Sequence, residues 1–589
     1  MTLARTGLLA VVLLLLVVPR SSALPSGATY AAAPFADAWA NVPSSPAARK
    51  ARNAVVFGGH GSFAGFNTLL TCCNELWAGF AGANEALHGA FIQDANGDWT
   101  RDLVSVATAN GSGVSYTIKP SAYWYWGGKK VPVTYRDFVY TLQKIDDPND
   151  KLATRAGYSQ LDPTRFTHRG DKQVTFFWRT TNCSTDSPCG PFANWQYLFG
   201  QLYPSFALAG LDFNEIWMDC ICGNDGRPVS DGPFYLSNYS KDQGTTLKAN
   251  PYYYAKPKLD EVDFRFIVDV NAEEQAMLGG QVDAIAPAFG PVLLPLKSAP
   301  GVVFEQTPGY VFEHLDLREG GVKAGPSVSK PASNVLLRAP WMRQAIMLGI
   351  DRQRIIDAVF GPMAGNLKPL DGTLFYSTQT GYRPDYARWN YNPSKALAIL
   401  EKHCMAGSGP TSPSTNNTSI WRCAGLPAAF NWTWAAGRDD WTTTEQIARG
   451  ELRSIGIEIN DRPLPPSAIF DSTVGIASGG FDIVQFRWIT AGDPGDWYDT
   501  FRCFGESNFT GYCSHTVDGL LKTAGGEVSQ PKRMRLYRRA AAVMATQVPV
   551  IPLYQVPIVL VHRSDLLGMR ANAGTGGPVW NIEDWHWRS

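Results

Sequence analysis

Alternating apolar and polar residues mark three short runs between Ser230 and Ile285. This period-two pattern is typical of strands. The residues that carry it are Phe234 and Leu236, Thr245 to Leu247, and Val262, Phe264 and Phe266. A helix follows, which begins at Asn271 and ends at Gly279 and Gly280. The segment therefore predicts three strands and a short helix in succession.

The same patterns predict elements along the rest of the chain. Thr134 and Asp137 have the spacing of a capping box and begin a helix that extends to Ile145. Asn96 and Gly97 between apolar flanks predict a hairpin turn. Further predicted strands are 53–57, 116–120, 174–178, 430–434, 456–459 and 550–561, and further predicted helices are 443–455 and 531–546.

The length and charge of the chain limit what it can do. Its 589 residues are enough for two or three domains, each with its own core. Basic and acidic residues number 52 each, so the chain has no excess positive charge with which to bind a polyanion. We therefore expect no nucleic-acid partner.

The first residues have the pattern of an export signal. Arg5 gives the positive start, residues 8–18 form an apolar run, and Ser21 to Ala23 form a small-residue cleavage site. The run is too short to span a bilayer. Because no cysteine precedes Cys72, we expect no lipid anchor on a cysteine after the signal. The mature chain is predicted to be soluble and extracytoplasmic, in the periplasm or at the cell surface.

Ten cysteines in an exported chain favour disulfides over a metal site. Three pairs are close in sequence and flank loops, namely Cys183 with Cys189, Cys404 with Cys423, and Cys503 with Cys513. The other four, Cys72, Cys73, Cys220 and Cys222, are left to pair with one another. A zinc site built from these four is the less favoured alternative, because the usual two-residue spacers are missing. We expect no metal site and no cofactor.

Four short motifs in the segment 232–283 occur in a fixed order. They are Gly232 to Phe234, Asn250 to Tyr253, Leu259 to Val262, and Leu278 to Asp283. Together they resemble the signature segment of family 5, the extracytoplasmic solute-binding proteins of oligopeptide, dipeptide and nickel ABC importers. Further motifs that resemble this family are Val133 to Phe138, Arg343 to Ile355, Asn392 to Ala396, and Val550 to Tyr554.

The resemblance implies an α/β chain with a two-lobed, type II periplasmic-binding-protein-like fold and an extra domain inserted in lobe one. The implied divisions are a signal peptide at 1–23, an extended lead-in at 24–50, lobe one at 51–75, 229–302 and 546–589, the inserted domain at 76–228, and lobe two at 303–545.

The resemblance also implies a function. The chain is expected to be the extracytoplasmic substrate-binding component of an ABC importer. It would capture peptides by hinge closure of its two lobes and deliver them to the membrane permease subunits. We expect a monomer without enzymatic activity.

In peptide-binding relatives, an aspartate three positions after a cleft tryptophan pairs with the α-amine of the ligand. The resemblance places that tryptophan at Trp488, and Ala491 stands at the third position after it. Asp493 is the nearest acid. Either a small shift in register lets Asp493 pair with the amine, or the chain does not read a free amine; the shift is favoured, so Asp493 is the candidate amine partner. Arg487 is a candidate partner for a carboxylate, and Trp497 belongs to the same stretch.

Other aromatic residues are candidates for contact with a ligand. Trp432 and Trp434 share one face of a predicted strand and form either a stacking wall or part of the core, with the core favoured. His60 and Phe63, at the glycine loop that follows the first strand, are candidate contacts from the other lobe.

Two alternatives to peptide binding remain. An oligosaccharide ligand would use the tryptophans for stacking. A secreted hydrolase is disfavoured because the sequence contains no Gly-x-Ser-x-Gly motif. Adjacent acids such as Asp439 and Asp440 would face apart rather than across a scissile bond.

Overall fold

The computed structural model divides the chain into two compact units. It describes residues 45–589 except 60–62, 71, 74–75, 153–154, 156, 182, 184–188, 242, 268, 324–328, 331–333, 466–467, 470–474, 477–478, 506 and 575. The first unit extends to Gly309 and includes Pro557–Ser589, and the second is Tyr310–Val556. The chain passes from one unit to the other within the strands Val302–Leu317 and Val550–Arg563.

The main sheet of the first unit contains the three strands that the alternating pattern predicts. Its order is Phe234–Ser240, Gly244–Ala249, Glu261–Phe266, Ala54–Gly59, Ala284–Ile285 and Val550–Arg563. Among the first three strands, each is antiparallel to its neighbour, whereas Ala54–Gly59 is parallel to Glu261–Phe266. Every residue of Ala54–Gly59 is buried, as expected for a strand inside a sheet that is covered on both faces.

Smaller sheets complete the strands of the first unit. A four-stranded sheet has the order Val104–Ala109, Gly113–Ile118, Gln173–Trp178 and Leu161–Arg169. A three-stranded sheet has the order Val229–Ser230, Tyr123–Trp126 and Lys129–Pro132. Two two-stranded ribbons pair Phe91–Gln93 with Trp99–Arg101 and Leu566–Leu567 with His586–Trp587. The predicted turn at Asn96 and Gly97 connects the ribbon Phe91–Gln93 and Trp99–Arg101, which confirms the hairpin.

The helices of the first unit are short. They are Pro46–Ala51, Leu76–Ala78, Asn84–Ala86, Tyr135–Asp146, Val270–Leu278 and Leu294–Lys297. Thr134 and Asp137 form the predicted capping box of Tyr135–Asp146. Phe138, Leu142 and Ile145 of this helix are buried, so the apolar stripe faces the core.

The second unit combines a set of paired strands with seven helices in its described residues. Strand Ile483–Ile489 is antiparallel to Val302–Leu317 and parallel to Ala429–Ala435, which in turn is parallel to Glu458–Leu464. The ribbons Val322–Lys323 with Ser329–Lys330 and Arg422–Cys423 with Leu426–Pro427 are separate. The helices are Pro340–Gly349, Arg352–Phe360, Pro393–His403, Asp439–Ser454, Tyr498–Phe501, His515–Gly525 and Gln530–Gln547.

One prediction about the N-terminal region is wrong. Residues 46–50 of the predicted extended lead-in belong to the helix Pro46–Ala51. Ser45 caps this helix by accepting a hydrogen bond from the backbone N–H of Ala48, and Pro46 occupies the first turn, where its fixed φ suits a helix. Arg49 anchors the helix through a fully buried ion pair of 2.6 Å with Asp283. The remainder of the lead-in and the signal lie outside the described residues.

The predicted domain limits differ from those of the compact units. The limits at 303 and 546 fall several residues before Tyr310 and Pro557, where the units divide. The inserted domain at 76–228 stays a prediction. Within the described part of the chain, no helix has the length and apolar character to cross a membrane.

All ten cysteines lie in the described part of the chain, and each is in a disulfide. The pairs are Cys72–Cys73, Cys183–Cys189, Cys220–Cys222, Cys404–Cys423 and Cys503–Cys513. Three of them are the pairs proposed from sequence spacing. The four cysteines of the zinc alternative are used in the other two disulfides, so their thiols are not available as metal ligands.

Candidate functional site

The predicted ligand-binding stretch begins on the strand Ile483–Ile489 of the second unit. Successive side chains of a strand point to opposite faces, so Gln485 and Arg487 share one face while Phe486 and Trp488 share the other. The register places Arg487 opposite Glu313 of the neighbouring strand. The strand therefore separates a charged face from an aromatic face.

On the charged face, Arg487 lies between two carboxylates. Its Nε donates a hydrogen bond to Glu313 and its Nη2 donates one of 2.7 Å to Asp440. Glu313 is fully buried, whereas the Arg487 side chain keeps 24% of its surface exposed. Burial lowers the pKa of Arg487, but the charges of Glu313, Tyr554 and Asp440 and the hydrogen bond to Glu313 together outweigh burial and raise the pKa above its ordinary value. Arg487 is therefore a permanent cation.

A second guanidinium shares Asp440 with Arg487. Arg438 donates to both oxygens of Asp440, at 3.0 and 2.7 Å, and lies 4.5 Å from the ring centroid of Trp441. The indole N–H of Trp441 in turn donates to Glu313 at 3.2 Å. We call Glu313, Arg438, Asp440 and Arg487 the arginine cluster.

Asp440 remains ionised in the arginine cluster. Burial raises the pKa of its carboxyl, but the hydrogen bonds from Arg438 and the charge of Arg487 outweigh burial and hold the pKa below its usual range. Asp440 also lies in the first turn of the helix Asp439–Ser454, where the helix dipole favours an anion. The two guanidinium groups that it joins are partly exposed, and both donate to carboxylates of the cluster.

On the aromatic face, Trp488 lies in a packed aromatic core. It is 2% exposed. Its ring stacks on Phe509, with centroids 5.9 Å apart and an interplanar angle of 3°, and meets Phe486 edge to face at 5.1 Å. Its buried indole Nε1 has no hydrogen-bond partner among the described residues. These contacts favour a structural role for Trp488, and its role in ligand binding stays a prediction.

Asp493 is committed to a buried ion pair. Both of its oxygens accept hydrogen bonds from Arg533, one of them at 2.7 Å, and the Arg533 side chain is only 2% exposed. Asp493 also caps the 3₁₀ turn Pro494–Trp497 by accepting from the N–H of Gly495 at 2.7 Å. The predicted role of Asp493 as amine partner is untested, and the ion pair with Arg533 competes with it.

Asp496 completes this cap. Its Oδ2 accepts hydrogen bonds from the backbone N–H groups of Ala491 and Asp493, at 3.0 and 3.2 Å. Burial and the adjacent Asp493 charge raise the pKa of Asp496 well above its usual range. The loop is therefore held in one conformation by two acids, neither of which is free to project from it.

The other predicted tryptophans are also buried. Trp497 is 2% exposed and meets Phe312 edge to face at 5.4 Å. Trp432 and Trp434 are buried on the strand Ala429–Ala435. The stacking wall for these two residues stays a prediction, and their burial gives it no support.

Of the two candidates from the other lobe, Phe63 lies in the first unit. Phe63 is buried and stacks on Tyr239 with centroids 5.5 Å apart, and it also contacts Phe66 and Phe266. His60 lies outside the described residues. The contact of Phe63 and His60 with a ligand stays a prediction.

Three residues that shape this region were not recognised as parts of it from sequence. Glu313 and Arg533 lie far along the chain from their partners, at separations of 174 and 40 residues. Of the three, Asp440 is the one that the local sequence could have pointed to, because it stands between Arg438 and Trp441 at the start of a helix.

Comparison with known proteins identifies the family. Residues 104–509 match the family model described as bacterial extracellular solute-binding proteins, family 5 middle. Two curated relatives from Pseudomonas aeruginosa, di/tripeptide-binding protein 4 and probable di/tripeptide-binding protein 5, are 28% and 26% identical over 358 residues. The match spans 59% of this chain and 60% of those relatives.

Solved structures share the fold. A periplasmic EDTA-binding protein, EppA, superposes with a TM-score of 0.73 at 20% identity, over 91% of this chain and 96% of that one. The oligopeptide-binding protein AppA of Bacillus subtilis, solved with a nonapeptide, gives 0.64 at 19% identity, over 91% and 99%. The predicted type II periplasmic-binding-protein-like α/β fold is confirmed. Because the family model matches more than half of its length, the chain belongs to the bacterial extracellular solute-binding proteins of family 5.

Proposed function

We propose that this chain is the extracytoplasmic substrate-binding component of an ABC importer and that it captures peptides for the membrane permease. The observation that carries the proposal is the family match over residues 104–509, which contains the whole arginine cluster. Relatives that match over 59% of the chain are named di/tripeptide-binding proteins. Export through the signal peptide, a monomeric state, hinge closure and the absence of catalysis belong to the proposal.

The arginine cluster supports a carboxylate-bearing ligand such as a peptide. Arg438 and Arg487 are 31% and 24% exposed, and both lie near the flat face of Trp441, at 4.5 and 6.0 Å from its ring centroid. A guanidinium can bind a carboxylate through two parallel hydrogen bonds. A ligand carboxylate would meet the exposed edges of these two guanidinium groups, whereas the ring of Trp441 beneath them is buried. The oligosaccharide alternative needs exposed tryptophans on which sugar rings can stack. Trp432 and Trp434 are buried, so they give it no support.

The test is calorimetric titration with pools of di- to pentapeptides, with oligosaccharides and nickel chelates as separate pools. We expect binding from the peptide pool alone. Binding from an oligosaccharide or chelate pool without peptide binding would contradict the proposal.

A conservative variant tests the arginine cluster. Arg487→Lys keeps a cation beside buried Glu313 but removes the planar fork, so we expect peptide affinity to fall tenfold or more while the fold is retained. The matched control is Arg449→Lys, since Arg449 also contacts two carboxylates, those of Glu445 and Asp461. Equal affinity in both variants would show that Arg487 does not contact the ligand.

A further inference from the structure

One side of the helix Gln530–Gln547 is strongly basic. The helix contains five cations and no acid. Arg533 is buried and pairs with Asp493. The other four cations lie on the side turned away from Arg533, because residues three and four positions apart share one face of a helix. They are Lys532, Arg535 and Arg539, which are exposed, and Arg538, which is half-buried. The balance of 52 basic and 52 acidic residues in the whole chain conceals this local charge.

A loop earlier in the same unit extends this side of the helix. Arg538 donates hydrogen bonds to the carbonyl oxygens of Thr380 at 2.8 Å and Gly381 at 3.3 Å. Arg383, which is exposed, lines the same small recess as Arg538. Asp385 is the one acid among the residues that line it. We call Arg383, Lys532, Arg535, Arg538 and Arg539 the basic face.

The cations of the basic face are not neutralised by ion pairs. Among the described residues, none of the five forms an ion pair with a carboxylate. Arginines of another helix in the second unit differ in this respect, because Arg449 pairs with Glu445 and Arg453 pairs with Glu458. The positive charge of the basic face is therefore left for a partner outside this part of the chain.

The charges of the basic face also oppose one another. Lys532 and Arg535 are three positions apart, and Arg535 and Arg539 are four apart. Like charges at these spacings destabilise a helix. Lys532 also lies in the first turn, where the helix dipole favours an anion. An anionic partner would relieve both kinds of repulsion, so the face is suited to a partner of that charge.

The basic face lacks the apolar centre that is typical of a protein interface. Residues 380–388 and 530–547 are all described, and none of their large hydrophobic side chains is exposed. Protein interfaces are centred on large apolar, aromatic and arginine side chains that fill pockets of the partner. Lipid head groups attract clustered cations without apolar contact. These features favour an anionic lipid surface over an acidic protein.

We infer that the basic face binds the anionic phosphate head groups of a lipid bilayer and so holds the chain against a membrane surface. This inference goes beyond the proposed function and does not depend on peptide binding. Each Lys or Arg near an anionic bilayer strengthens binding by about fivefold. Salt shortens the range of such attraction to about 3 Å at 1 M, so binding should be lost at high salt.

The test is sedimentation of the wild-type chain with vesicles of phosphatidylcholine and phosphatidylglycerol in equal parts, and with vesicles of phosphatidylcholine alone. We expect binding to the anionic vesicles only, and its loss in about 1 M salt. The double variant Arg535→Gln with Arg539→Gln should bind about 25-fold more weakly. The matched control, Lys256→Gln with Lys402→Gln, removes the same charge from two exposed lysines outside the basic face and should bind like the wild type.

Three results would overturn the inference. The first is an equal loss of binding in both double variants, which would make net charge alone responsible. The second is sedimentation with neither kind of vesicle, including the case in which the chain binds poly-L-glutamate instead, as an acidic protein partner would require. The third is a fall of more than about 4 °C in the Tm of the Arg535 and Arg539 double variant, because removal of a repulsive pair should leave the Tm unchanged or raise it. A chain that binds anionic vesicles but no peptide would contradict the proposed function alone.

Discussion

Replacing Trp488 by alanine should destabilise the fold rather than act mainly on ligand binding. Trp488 is 2% exposed, and truncation of a buried tryptophan costs about 3–5 kcal/mol. Its stacking on Phe509 adds about 0.5–1.5 kcal/mol. The indole N–H has no partner among the described residues, so its removal breaks no hydrogen bond. We expect a loss of about 4–5 kcal/mol in the free energy of unfolding.

Urea unfolding followed by circular dichroism measures this loss, and Trp488→Phe is the matched control. Phenylalanine keeps a ring against Phe509 and removes roughly two methylene equivalents, worth about 0.8 kcal/mol each, so the control should lose only about 1–2 kcal/mol. Peptide affinity of Trp488→Phe should stay within threefold of the wild-type value. A Trp488→Ala variant that lost less than 1 kcal/mol and bound peptide tenfold more weakly would refute the reasoning and make Trp488 a ligand contact.

Two further predictions concern buried charge. Asp493→Asn should lower the free energy of unfolding of the second unit by about 3–5 kcal/mol, because it leaves the buried Arg533 without its ion-pair partner. In urea unfolding, replacement of both Asp493 and Arg533 by apolar residues should recover most of that loss. If the double replacement recovers nothing, the ion pair itself is needed for stability. Burial raises the pKa of Asp263 to about 6, despite the hydrogen bond from Thr246. This folded-state pKa lies above the unfolded value near 3.9, so the group's contribution to stability should fall as pH rises between these values. Asp263→Asn should remove that fall in urea titrations from pH 4 to 7, whereas the same change at exposed Asp260 should not; an unchanged pH profile would contradict the assignment.

Local sequence signals predicted the elements well. The capping box at Thr134 and Asp137 placed the start of the helix Tyr135–Asp146, because a cap depends on residues three positions apart. The strand Val550–Arg563 and the helix Gln530–Gln547 extend their predicted ranges by a few residues. Such elements follow from periodicity and turn residues, which a single sequence displays directly.

The partners of the site residues were beyond the reach of local patterns. Asp493 was chosen from sequence because it is the acid nearest to the third position after Trp488, yet Arg533 reaches it from a helix 40 residues later. Arg487 was recognised as a carboxylate partner, whereas Glu313, which lies opposite it in the sheet, was not. Ion pairs between distant elements depend on sheet register and helix rotation, and these are set by tertiary packing.

The wild-type chain's binding to short peptides is the most direct measure of the proposed function. A ligand that binds only the folded state raises the melting temperature by mass action, by an amount that grows with its concentration over Kd. We predict that a di- to pentapeptide pool raises the Tm and that the shift increases with peptide concentration. A Tm that stays constant with peptides but rises with oligosaccharides or nickel chelates would contradict the account.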